Sequence, residues 1–120
     1  MDTAIPALVE DVYQRGLDKD VLVIVWGEFG RTPRLNNDGG RDHWGPVMSA
    51  LLFGGGLRVG QVIGSSTAKG EVPKDRPLRP YDVLAMMYRH LGIDPKATFL
   101  DHTGRPRYLL DEGEIIPELV

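Results

Sequence analysis

The sequence contains no cysteine among its 120 residues. Disulfide bonds, thiolate nucleophiles and cysteine-ligated zinc sites are therefore excluded. It also lacks an apolar run long enough to span a bilayer, so we expect no membrane partner. Its first residues, MDTAIPALVEDV, lack the basic region and apolar core of a signal peptide. The localisation is left undetermined, because a targeting signal could lie elsewhere in a longer polypeptide.

An excess of positive charge is missing as well. The 14 Lys and Arg residues are outnumbered by 17 Asp and Glu residues, and the formal net charge is −3. Nucleic acids attract a concentrated basic surface, so this balance argues against a nucleic-acid partner. The hydrophobic content of 42% and the charged content of 26% are typical of globular proteins. The length predicts a single domain over residues 1–120.

Apolar periodicity predicts two helices and one buried strand as the main elements. Apolar side chains recur at helical spacing between Ile5 and Leu17, which predicts an amphipathic helix. Residues 21–26 are continuously apolar and predict a strand covered on both faces, as strands of parallel sheets are. Residues 81–91 predict a second helix, with Asp82 acting as a cap near its start.

Other segments give weaker signals. Residues 47–53 predict a second strand, and residues 57–63 an edge strand or hairpin arm. The three glycines at 54–56 lack the lysine of a phosphate-binding P-loop and indicate a tight turn or a close backbone approach. Residues 64–80 and the chain after Ile93 are predicted to be largely irregular.

Residues 27–46 form a long polar loop, and loops of this length are often functional. Glu28 follows the predicted strand directly, at the end where open α/β sheets bind ligands, and Asp42 and His43 lie further along. Carboxylates with an imidazole suit zinc, and oxygen-rich sets suit manganese, magnesium or calcium. Arg31 and Arg41 can bind an anionic group through paired hydrogen bonds. Metal ligands beside arginines suit a phosphate or sulfate ester, because charge on the ester oxygens must be balanced.

Each of these assignments has an ordinary structural alternative, which remains open. Glu28 could pair with a loop arginine, and His43 could bind a backbone carbonyl. Asp38 precedes Gly39 and fits a turn. His90 is favoured near a helix end by the helix dipole. The remaining candidates with a surface interpretation are Arg34, His102, Arg105 and Arg107.

Four strings of the sequence resemble a large family of bacterial sulfatase-like proteins, designated domain of unknown function 1501. They are VLVIVWGEFGRTPRLN, GRDHWGPVMSALLFGGGLRVGQVIG, LRPYDVLAMMYRHLGIDP and GRPRYLLDEGEIIPEL, and together they cover nearly the whole chain from about residue 20. The resemblance extends to alkaline phosphatases and arylsulfatases. It implies a partial α/β/α sandwich with a mostly parallel or mixed sheet, as the C-terminal segment of a larger domain. It also implies a metal site acting on phosphate or sulfate esters.

The resemblance carries over to individual residues unevenly. Where the superfamily has an Asp-His-Gly motif after the strand, this sequence has Glu28, Phe29 and Gly30. Glu28 can replace the aspartate as a metal ligand, but Phe29 cannot replace the histidine. A later superfamily histidine matches His43, with Asp42 beside it. The implied metal ligands are therefore Glu28, Asp42 and His43.

The superfamily nucleophile and its first carboxylate ligands lie in an N-terminal half that has no counterpart here. The resemblance thus predicts a segment of a metal-dependent ester hydrolase that is inactive alone, with Arg31 and Arg41 binding the anionic ester. The expected partners are the N-terminal half, which in full-length relatives often carries an export signal, or a second copy of the chain. The alternative, favoured by Phe29, is a non-catalytic binding or assembly module on a degenerate sulfatase-like fold.

Overall fold

The structure, a computed structural model, describes residues 2–120. Within these residues the chain forms two α-helices, eight short strands and one turn of 3-10 helix. The elements in chain order are α1 (Ala4–Gln14), β1 (Leu22–Trp26), β2 (Gly30–Arg31), β3 (His43–Trp44), β4 (Ala50–Gly54), β5 (Ser65–Ser66), β6 (Pro73–Asp75), α2 (Pro80–His90), β7 (Thr98–Leu100), β8 (Pro106–Tyr108) and the 3-10 helix (Pro117–Leu119).

The predicted sheet is wrong. We expected a partial α/β/α sandwich with a mostly parallel or mixed sheet, but the strands of residues 2–120 form four separate antiparallel pairs. β1 pairs with β4, with Leu22 opposite Gly54 and Trp26 opposite Ala50. An apolar run reports how the two faces of a strand are covered and does not report the direction of the neighbouring strand. The continuous apolar character of β1 was therefore compatible with either direction.

Both predicted helices are confirmed, at Ala4–Gln14 and Pro80–His90. Asp82 is the cap of α2: its carboxylate accepts the backbone N–H of Arg79 at 2.7 Å. The second oxygen accepts the backbone N–H of Glu114 at 2.9 Å, so the same buried side chain fastens the C-terminal segment to the helix. Within residues 2–120 neither helix is long and apolar enough to cross a membrane.

The segments predicted to be irregular contain three short hairpins. β2 pairs with β3, β5 with β6 and β7 with β8. The pairs contain two or three residues per strand, too few for a pattern of alternating polarity to appear in the sequence. Residues 57–63, predicted as an edge strand, form no strand.

The main hydrophobic core lies between α2 and the C-terminal segment. Met86, Ile116 and Leu119 form its buried cluster, and the backbone N–H of Ile116 donates to the Met86 Sδ at 3.3 Å. Partly buried apolar side chains surround this cluster: Leu52, Leu57, Ile63, Leu78 and Val120. The chain after α2, which carries little apolar periodicity, thus supplies two of the three central side chains.

The fold is more open than its mass predicts. The radius of gyration is 17.2 Å, whereas a compact chain of this length has one of roughly 14 Å. The accessible surface is 8761 Å², against roughly 6,500 Å² for a compact monomer of this mass. Within residues 2–120, eighteen large apolar side chains are exposed, among them Trp26, Leu91 and Leu100. The chain therefore leaves apolar surface that its own core does not cover.

Acid is expected to destabilise this fold through two carboxylates. The Arg76 guanidinium donates to both oxygens of Glu118, at 2.6 and 3.0 Å, and lowers the pKa of Glu118. Hydrogen bonds from Thr103 and then Arg105 lower the pKa of Asp101. A carboxylate with a lowered pKa in the folded state stabilises the fold above its unfolded pKa of roughly 4. That contribution is lost as the pH falls through the folded pKa.

Thermal unfolding followed by circular dichroism tests this expectation. The melting temperature should fall between about pH 5 and pH 2, the range over which paired carboxylates become protonated. A chain carrying Glu118→Gln and Asp101→Asn should show a smaller fall over the same range. An equal fall in both proteins would mean that other groups cause the acid sensitivity.

Candidate functional site

The predicted site residues lie mainly on the hairpin formed by β2 and β3 with its connecting loop, residues 30–44. Gly30 begins it, and no larger residue fits there, because a Cβ would overlap the backbone carbonyl of Val47. At the other end, the Trp44 indole N–H donates to the backbone carbonyl of Glu71 at 2.8 Å. The side chain of Glu71 also lies 3.4 Å from the Arg34 guanidinium. The hairpin is thus fixed to residues 67–72 at its base.

The tip of the hairpin is organised by Asn36. Its side-chain oxygen accepts the backbone N–H groups of Asp38, at 3.1 Å, and Gly40, at 2.8 Å. Asp38 therefore lies in a turn, as its position before Gly39 predicted. The Asn36 amide also donates to the Asp42 carboxylate at 2.9 Å, which orients that carboxylate.

Antiparallel pairing places Arg31 directly opposite His43. The His43 ring lies against the ring of Phe29, with centroids 3.8 Å apart, and the Arg31 guanidinium carbon lies 5.6 Å from the Phe29 centroid. A cation at this distance from an aromatic face is attracted by the ring. Arg31 and His43 are exposed and Phe29 is half-buried, so Phe29 supports two polar side chains that remain accessible.

The two predicted anion-binding arginines also stabilise the hairpin. Arg41 donates to the backbone carbonyl of Thr32 at 2.6 Å, and Arg31 lies 3.5 Å from the backbone carbonyl of Arg41. Each guanidinium has five N–H donors, so these contacts use only part of its capacity. Both side chains remain exposed.

Glu28 lies apart from the other two predicted metal ligands. It lines a cleft of about 600 Å³, whose lining includes neither Asp42 nor His43. Across residues 2–120 no group of three or more His, Asp and Glu side chains is close enough together to hold a metal ion. Asp42 and His43 are neighbours in the sequence, and the assignment of the metal site remains a prediction.

The cleft next to Glu28 was not predicted. Its polar lining includes Arg76 and Arg79, which pair with Glu118 and Glu112 respectively. Arg76 is the single non-glycine residue of residues 2–120 with a positive φ, 47°. Such a conformation is uncommon outside glycine and is retained only where surrounding contacts hold it. Here the contact is the two-pronged ion pair with Glu118, whose partners lie 42 residues apart.

The two other histidines occupy different surroundings. His90 lines a groove between β1 and α2, and His102 lies exposed in the turn between β7 and β8. In that turn Asp101 accepts backbone N–H groups from Thr103 and Arg105. His102 thus serves as a matched reference for an exposed histidine outside the hairpin.

Comparison with known proteins gives one family. The sequence matches the family described as protein of unknown function (DUF1501) over residues 1–120. No curated protein and no solved structure matches the chain. The family match spans all 120 residues of the sequence. The chain belongs to the DUF1501 family.

Proposed function

We propose that the chain is the C-terminal segment of a metal-dependent hydrolase of phosphate or sulfate esters, and that it is catalytically incomplete alone. The supporting observation is the register of β2 and β3, which sets Arg31 opposite His43 on an exposed surface. Asp42 adjoins His43, and its carboxylate is oriented by Asn36. A carboxylate and an imidazole beside guanidinium groups are the chemistry that an anionic ester requires. The resemblance to sulfatase-like proteins supports the same proposal.

The donor set supports the second part of the proposal, that the chain is catalytically incomplete alone. Catalytic metal sites use three or more protein ligands, and the hairpin offers two adjacent donors, Asp42 and His43. Glu28 lines the neighbouring cleft instead. We therefore assign further ligands and the nucleophile to polypeptide outside these residues. A bound divalent ion would neutralise charge on the ester oxygens, while Arg31 and Arg41 would orient the ester through their N–H groups.

A zinc titration tests the donor pair. We expect the chain to bind zinc weakly. Binding is measured by mass spectrometry of the metal after equilibrium dialysis and by tryptophan fluorescence, to which Trp44 next to His43 contributes. His43→Ala and Asp42→Asn should each weaken binding by roughly tenfold or more, since even outer-shell changes cost 10–100-fold. Glu28→Ala reports whether the cleft residue joins the site.

His102→Ala is the matched control, because it removes an exposed histidine from another hairpin. Binding should be the same in this variant as in the unaltered chain. If His43→Ala and His102→Ala reduced zinc binding equally, the result would count against a site on the hairpin. Absence of binding by a chain shown to be folded would remove the metal from the proposal.

A non-catalytic assembly module is the second candidate. It is favoured by the position of Glu28 in a cleft that Asp42 and His43 do not line, and by the excess of exposed apolar surface. This candidate predicts protein association that does not depend on metal. It would replace the hydrolase proposal if the folded chain bound no zinc and its association remained unchanged in His43→Ala.

A further inference from the structure

The outer edge of β1 is unpaired. β1 pairs with β4 along one edge only, and its residues make no other backbone hydrogen bond within residues 2–120. An antiparallel neighbour uses the N–H and C=O groups on one side of a strand, so those on the other side are left for a further strand. All five residues of β1, Leu22–Trp26, are apolar. The charges and prolines that natural proteins place on exposed edges are therefore missing here.

This edge continues into an apolar groove. The groove has a volume of about 400 Å³ and lies between one face of β1 and α2. Leu22, Ile24 and Trp26 form its strand side, because every second side chain of a strand points to the same face. The helix side is formed by Leu84, Met87, His90 and Leu91. A strand added beside β1 would thus gain both main-chain hydrogen bonds and an apolar surface for alternate side chains.

β4 offers a less open edge. Ala50, Leu51 and Leu52 of β4 border the cleft, which is also lined by residues 61–66, Pro73 and residues 75–80 of the same chain. A two-stranded sheet alone is at best marginally stable in water, and further strands or packing against a helix stabilise it. The β1–β4 pair therefore gains most from a strand added at β1.

We propose that β1 pairs with β1 of a second copy of this chain, forming a symmetric dimer with a four-stranded antiparallel sheet. A strand edge pairing with itself about a two-fold axis is self-complementary. Full overlap of the five residues places Ile24 opposite Ile24 of the second copy and Leu22 opposite its Trp26. The two grooves then lie on the same face of the sheet, because residues paired across the two strands point their side chains to the same face.

The exposed area is large enough for such an interface. The chain exposes roughly 2,300 Å² more than a compact monomer of its mass would. A standard interface buries roughly 800 Å² per partner, and permanent ones bury more. The excess, taken over the whole molecule, is therefore larger than the area that one partner buries in a standard interface.

The charged residues that flank β1 provide a separate test of this strand register. In the same alignment Asp20 faces Glu28 of the second copy, at both ends of the paired strands. Both residues are exposed, so two acidic pairs repel across the interface and salt should screen the repulsion. Dimerisation is therefore expected to strengthen as the salt concentration rises. Asp20→Lys should strengthen it further, because each repulsion becomes an attraction.

Sedimentation equilibrium over about 1–200 µM tests the proposal, with circular dichroism to show that each protein is folded. We expect a concentration-dependent dimer that Ile24→Lys abolishes, since a charged side chain on an edge strand prevents pairing. Asp20→Lys leaves the apolar strand intact and should tighten the dimer roughly twofold or more at low salt. Leu100→Lys changes a side chain that is 70% exposed on β7 and should have no effect.

Three results would overturn the proposal. A folded chain that stays monomeric over the whole range would leave the β1 edge to a strand of a different polypeptide. A dimer that persists in Ile24→Lys would place the interface elsewhere. If Asp20→Lys weakened the dimer or left its stability unchanged, the register centred on Ile24 would be ruled out.

Discussion

Met86→Ala is expected to lower the free energy of unfolding by about 2–5 kcal/mol, the range observed when a large buried side chain is truncated to alanine. The Met86 side chain is 1% exposed and is packed against Ile116 and Leu119. Its Sδ also accepts the backbone N–H of Ile116, which would lose its partner. Domains are stabilised by about 5–15 kcal/mol in total, so this one change would remove a large part of the stability. Urea unfolding followed by circular dichroism measures the loss.

Met87→Ala is the matched control, because it makes the same chemical change one position along α2. Met87 is half-buried in the groove, so its loss should cost about 1 kcal/mol or less when the chain is monomeric. The comparison must be made at a concentration below that of self-association. Equal losses in the two variants would show that the cluster around Met86 is not the centre of the core.

Gly54→Ala is expected to cost about 2–5 kcal/mol, which combines a backbone penalty with a steric one. Gly54 has a φ of 71°, a left-handed conformation that costs other residues roughly 1–2 kcal/mol. A Cβ at this position would also overlap the backbone carbonyl oxygen of Val21. That carbonyl accepts the N–H of Gly55 at 2.9 Å, so it cannot move aside without breaking the contact that holds the turn after β4.

Gly56 separates the two penalties. It lies in the same turn with a φ of 68°, yet a Cβ there would meet no atom within 4 Å. Gly56→Ala should therefore cost only the backbone penalty, about 1–2 kcal/mol. The difference between the two variants, measured by thermal or urea unfolding, is the steric penalty at Gly54. If the variants lost the same stability, the close approach to Val21 would not matter.

The candidate site could be predicted only in part. The residue types and their order indicated the loop that carries Arg31, Asp42 and His43, and the structure brings these onto one hairpin. The contact of His43 with Phe29 was not predicted, although Phe29 is where the sequence departs from the motif of the sulfatase-like proteins that it resembles. It depends on a two-residue strand pair, and such short pairing leaves no periodic pattern in a sequence.

The position of Glu28 was beyond what the sequence could show. Glu28 lies 15 positions before His43, and the path of the intervening loop decides whether their side chains meet. The cleft that Glu28 lines is formed by segments far apart in the chain, including those of Arg76 and Leu119. No local motif marks Arg76, because its unusual backbone conformation is held by a contact 42 residues away.

The sequence by itself determined the features that depend on near neighbours. These are the two helices, the cap at Asp82, the turn around Asp38 and the glycine turn after β4, each set by residues within a few positions of one another. The tertiary structure alone decided that β1 pairs antiparallel with β4 and that Ile116 completes the core. Strand direction and core membership depend on how distant segments meet, and an apolar run is equally compatible with several such arrangements.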